Sequence, residues 1–142
     1  MPKRLNILMV DDDPVILEVL DTYLHSQGYP IDHCTSAADA LIKLDKKAYD
    51  LIISDVEMAE MSGFDFVRVA RERYPRIGIV LMTAFDDRYP QAEALSSGAD
   101  GYIAKPFTLS KFSMIFERTY WDALARKDWW VTHVDKGGKP SD

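Results

Sequence analysis

A chain of 142 residues is about one domain's worth, long enough to bury a core and short for two. Hydrophobic residues at 47% and charged residues at 28% give a globular balance, unlike that of a disordered chain. Lys and Arg (17) against Asp and Glu (23) leave a net charge of −6, so direct nucleic-acid binding through phosphate neutralisation is not expected.

The first four residues, Met1-Pro2-Lys3-Arg4, lead within six more to Asp11-Asp12-Asp13. That leaves no space for a signal peptide or membrane span, and Cys34, the only cysteine, permits neither an intramolecular disulfide nor a cysteine-built metal cage. A soluble, cytoplasmic protein is expected. Residues 5–10 form an apolar run broken only by Asn6, which suits a buried parallel strand. Val15, Ile16, Val19, Leu20, Tyr23 and Leu24 then recur at helical spacing until Gly28, with Asp13 as cap and Pro14 at the first helical position. A second strand over residues 31–35, suited to a sheet edge by Pro30, precedes a helix carrying Ala37, Ala40, Leu41 and Leu44. Residues 51–55 supply a third strand, followed by a loop to Gly63 and a helix with Phe64, Phe66, Val67 and Ala70 that stops before Pro75. Residues 77–83 make a fourth strand, and the helix after it ends near Ser97-Gly98. Pro90 falls inside that fourth helix and is tolerated only in a first turn, so the helix starts late or follows an irregular segment. A fifth strand over residues 101–104 precedes a helix from Leu109, in which Phe112, Phe116, Tyr120 and Ala123 keep helical spacing to about Arg126.

Five βα alternations imply a parallel sheet covered on both faces, the open doubly wound α/β class. In that class chemistry sits beyond the carboxyl ends of the strands. The first, third and fourth strands end in Asp11-Asp12, Asp55 and Thr83, and Lys105-Pro106 follows the fifth. Three carboxylates on one rim repel one another and call for a cation, and an all-oxygen cluster suits Mg²⁺. Such a cation would neutralise a phosphoryl group, with a lysine and a threonine hydroxyl at its oxygens and Asp55 left as nucleophile.

Over residues 5–125 these signatures resemble the response-regulator receiver family. The resemblance implies a flavodoxin-like (βα)5 fold with strand order 2-1-3-4-5, Asp55 as phosphoacceptor, Thr83 as switch hydroxyl, Tyr102 as switch aromatic and Lys105 as the phosphate-binding lysine. It further implies Mg²⁺ (or Mn²⁺) held by Asp12 and Asp55 directly, by Asp11 partly through water, and by the backbone carbonyl of Glu57, together with a cis Lys105-Pro106 bond. A sensor histidine kinase or phosphotransfer protein would donate the phosphoryl group. The face of the fourth helix, fifth strand and fifth helix would then change and select a downstream partner. The molecule would be a switch rather than an enzyme with turnover. Glu57 and Phe85 are the rim positions that this family varies, and Ala59 stands where it usually has proline.

Plainer readings stand beside these. Asp13 caps a helix and no more, Tyr102 is equally a core aromatic with its hydroxyl at the surface, and Phe85 equally packs outward. Met58 and Met61 read as packing, and His25, His33, His133 and Cys34 lack ligand spacing. A haloacid-dehalogenase-type aspartyl-phosphate hydrolase is one competitor, faintly echoed in Asp55-Val56-Glu57, but its second acid is wrong and the acidic pair precedes the nucleophile. A phosphorylation-independent interaction module is the other. Residues 1–126 are expected to form the receiver domain and residues 127–142 an extension. Trp121, Trp129 and Trp130 either pack back on the domain or mark a homodimer or partner surface, and the polar end from Asp135 reads as flexible. A stand-alone receiver is the preferred reading, one excised from a longer regulator or hybrid kinase the alternative.

Overall fold

The computed structural model describes residues 5–83 and 96–133, with side chains as far as residue 126. In chain order the elements are β1 (Ile7–Val10), α1 (Pro14–Ser26), β2 (Ile31–Cys34), α2 (Ala37–Lys46), β3 (Leu51–Asp55), α3 (Gly63–Arg73), β4 (Gly78–Thr83), β5 (Gly101–Ala104) and α4 (Leu109–His133). The strands form one parallel sheet in the order β2-β1-β3-β4-β5, the doubly wound arrangement expected from the alternation and the family resemblance.

Every residue of β1, β3 and β4 is buried, which explains why these strands read as continuous apolar runs rather than alternating ones. Their side chains alternate between two cores. Leu8, Ile52, Ile79 and Leu81 pack with Ala40, Leu44, Phe66 and Val67 of α2 and α3. Ile7, Met9, Ile53, Val80 and Met82 pack with Leu17, Leu20, Phe112 and Phe116 of α1 and α4.

Helix starts follow local chemistry. The Asp13 carboxylate accepts from Val15 N–H at 2.9 Å with Pro14 opening α1, Ser36 Oγ accepts from Asp39 N–H at 3.1 Å, and Ser62 Oγ from Asp65 N–H at 3.2 Å. Gly28, at φ 84°, takes the left-handed turn after α1.

The final helix differs from expectation: it continues to His133 instead of ending near Arg126. No glycine or proline interrupts the chain between Leu109 and Gly137, so nothing local stops it. Phe85 and Pro90 lie outside the described residues. Among the described residues no helix is long and apolar enough to cross a membrane.

The register positions the functional rim. Val10 lies beside Ser54, Asp55 beside Met82 and Thr83 beside Ala104, so the residues ending or following four strands reach one edge together.

Candidate functional site

Asp11 follows β1 and is fully buried, Asp55 ends β3 at 5% exposure, and Asp12 is exposed. One carboxylate oxygen from each lies within 4.8 Å of the others. Lys105 Nζ, just beyond β5, is 3.2 Å from Asp11 Oδ2 and 3.2 Å from Asp55 Oδ1. The other oxygen of Asp11 accepts from Asp13 N–H at 2.9 Å, and Asp55 accepts from the backbone N–H of Glu57. Asp12, Asp55 and Lys105 border a cleft of about 520 Å³, which Glu57 and Met58 also line.

Burial pushes the Asp55 carboxyl up to about 6, and the Asp11 charge adds to the effect against the opposing pull of Lys105 and the Glu57 amide. Burial likewise raises Asp11. For Lys105, burial disfavours the charge, but the Asp11 and Asp55 carboxylates outweigh it and hold the ammonium above its ordinary value. Among the described residues three carboxylates thus meet one ammonium, which pairs with Asp11 and Asp55, an excess of negative charge that fits a hard divalent cation with oxygen ligands.

The remaining predicted residues surround this cluster. Thr83 is buried at the end of β4, where its carbonyl accepts from Lys105 N–H at 2.8 Å. Tyr102 is half-buried on β5, packed against the core shared by α2 and α3, and its hydroxyl donates to Ala99 O at 3.3 Å. Glu57 is exposed at the rim, and the Lys105-Pro106 peptide is cis. Phe85 falls outside the described residues.

One contributor escaped the sequence reading, which treated Gly63 only as the end of a loop. A Cβ there would lie 2.2 Å from Asp55 O and 2.6 Å from Val56 Cα. Its absence lets the start of α3 close against the peptide that carries Asp55, with Gly63 N–H donating to Val56 O at 2.8 Å. The available signal was a glycine eight residues beyond the aspartate, immediately before a helical apolar pattern.

Residues 7–117 match the family described as the response regulator receiver domain. The chain therefore belongs to that family, the phosphorylation-linked receivers of two-component signalling. It is 35% identical over 115 residues to the transcriptional regulatory protein ZraR of Salmonella typhimurium, covering 81% of this chain and 26% of that protein. The chain thus spans about a quarter of that relative's length. Among solved structures it is similar to the chemotaxis response regulator CheY4 of Vibrio cholerae (TM-score 0.76, 30% identity, 82% of this chain and 99% of that one). It is also similar to the response regulator TrrA of Thermotoga maritima in complex with Mg²⁺-BeF (TM-score 0.72, 32% identity, 80% and 97%). The comparisons favour neither the dehalogenase-type hydrolase nor the phosphorylation-independent module.

Proposed function

We propose that Asp55 accepts a phosphoryl group from a phosphohistidine of a sensor kinase or phosphotransfer protein, with Mg²⁺ or Mn²⁺ held at Asp11, Asp12, Asp55 and the backbone carbonyl of Glu57. An Asp55 carboxylate oxygen attacks phosphorus in line, the P–N bond to the donor imidazole breaks, and the bonding electrons leave with that imidazole. The bound cation supplies charge neutralisation for the phosphoryl oxygens. Lys105 Nζ, already 3.2 Å from Asp55 Oδ1, pairs with a phosphoryl oxygen, and the Thr83 hydroxyl donates to another. Rearrangement at Thr83 and Tyr102 then alters the face that includes β5 and α4, which selects a downstream protein.

The observation that carries this reading is Asp55 itself, a buried carboxylate at a strand end that is paired with Lys105 and still borders an open acidic cleft. Titration with Mg²⁺ and then beryllofluoride, followed by calorimetry, tests it. The expected result is saturable Mg²⁺ binding and one Mg²⁺-dependent beryllofluoride per chain, both lost or severely weakened in Asp55→Asn. Equal binding by parent and variant would overturn the assignment.

A further inference from the structure

The opposite end of the sheet holds a second ionic cluster that phosphoryl chemistry does not use. Its centre is Asp100, immediately before β5. Asp100 Oδ2 accepts from Ile79 N–H at 2.8 Å and from Arg71 Nη2 at 2.9 Å, while Oδ1 accepts from Arg126 Nη1 at 3.3 Å.

The two arginines are bound very differently. Arg71, near the end of α3, uses all three nitrogens: Nε and Nη2 donate to Gly98 O at 3.2 and 2.8 Å, and Nη1 donates to Pro75 O at 3.0 Å and Ile77 O at 2.6 Å. It fastens the chain entering β5 to α3 and β4. Arg126 on α4 donates through Nη1 alone; its Nε and Nη2 are buried without a partner among the described residues. Buried donors left unsatisfied weaken an attachment, so this contact is the looser half of the cluster.

Its position gives the difference a consequence. Ala123 is the last fully buried α4 residue among those described, with Leu124 packed partly buried beside the core, and its Cβ would lie 3.1 Å from a Cβ built on Gly78. Arg126 is one turn further on, and α4 continues seven residues beyond it to His133, roughly 10 Å of helix at 1.5 Å per residue. Asp100 lies two residues before Tyr102 on the same chain segment.

We propose that Asp100–Arg126 is a releasable latch that transmits movement of β5 to the last turns of α4. Arg71, with its several bonds, keeps its grip on the Asp100 segment, and Arg126, with one, is the side that lets go. When Tyr102 and β5 shift, the Asp100 carboxylate shifts with them and the hold on Arg126 changes, altering how firmly the end of α4 is kept in position. The signalling half of this proposal rests on the phosphorylation reading above.

Hydrogen exchange over peptides covering residues 120–133, measured on the full chain with and without Mg²⁺ and beryllofluoride, tests it in the parent, Arg126→Gln and Asp55→Asn. In Arg126→Gln without mimic, exchange beyond residue 123 should rise about five-fold, equivalent to about 1 kcal/mol at 1.4 kcal/mol per tenfold. The mimic should alter exchange in this region in the parent and leave Arg126→Gln unchanged, although that variant still binds it. Equal exchange in the parent and Arg126→Gln would overturn the latch. A parent that binds the mimic with no change over residues 120–133 would overturn the relay. A parent that fails to bind the mimic would instead refute the phosphorylation reading, and the comparison without mimic would still decide whether Arg126 holds the helix.

Discussion

The two ends of the sheet use the same side chains to opposite effect. At the carboxyl end, among the described residues, three carboxylates meet one ammonium that pairs with two of them, and burial with mutual repulsion holds Asp55 up at about 6. At the other end, one carboxylate is matched by two guanidinium groups and a backbone N–H. Excess negative charge on an open cleft stores a demand for a cation, whereas a carboxylate whose oxygens are filled by guanidinium and backbone donors stores none and serves as a fastening. An aspartate near a strand end is therefore not informative by itself. What surrounds it decides whether it binds or braces.

The comparison can be broken most severely at Asp55. Asp55→Asn removes the proposed acceptor oxygen and one proposed cation ligand, so phosphorylation should be abolished and Mg²⁺ affinity should fall at least about tenfold, the equivalent of about 1.4 kcal/mol. Mass spectrometry and calorimetry report the two losses.

Lys105→Met comes next. It removes the ammonium that pairs with Asp11 and Asp55, so the metal-free protein should lose about 2 kcal/mol on thermal or urea unfolding. Much of that loss should return with Mg²⁺, because the cation supplies the missing charge. A stability deficit that Mg²⁺ does not touch would contradict the imbalance described for this end of the sheet.

Asp100→Ala sharpens the comparison from the other side. It leaves Ile79 N–H and Arg71 without their carboxylate partner and should cost about 1–2 kcal/mol of stability. Mg²⁺ binding should stay at the parental value, since the change lies at the far end of the sheet. A shared loss of stability and Mg²⁺ affinity would mean that the two ends are not independent.

The response to pH completes the comparison. A carboxyl whose folded value lies above its ordinary 3.8 contributes most to stability below that ordinary value and loses its contribution as pH rises through about 6. Without metal, the stability of the parent relative to Asp55→Asn should therefore decline as pH rises from about 4 to about 6 and level off above that. Protons compete with the cation, so Mg²⁺ affinity should run the other way and weaken as pH falls through about 6, approaching tenfold per unit below it. Calorimetric titrations at several pH values check the sign.

Much of the carboxyl-end rim was legible in the sequence because its residues follow apolar runs at regular spacing. The runs at β1, β3 and β4 are buried on both faces, so Asp11, Asp55 and Thr83 mark the places where the interior stops. The Arg71–Asp100–Arg126 cluster left no such mark. Its members are 29 and 26 positions apart, and their pairing depends on how α3, β5 and α4 pack. Gly63 was visible as a residue but not as a requirement, since only the folded loop brings Asp55 O to the place a Cβ would occupy. The end of α4 was placed too early because its apolar spacing fades near Arg126, whereas the helix persists wherever nothing stops it.

The most direct test of the central claim is the intact mass of the protein after incubation with acetyl phosphate, with and without Mg²⁺, in the parent and Asp55→Asn. The expected result is a single phosphoryl adduct that requires Mg²⁺ and is absent from the variant. An adduct of equal yield in Asp55→Asn, or no adduct in the parent under any of these conditions, would contradict Asp55 as the phosphoacceptor.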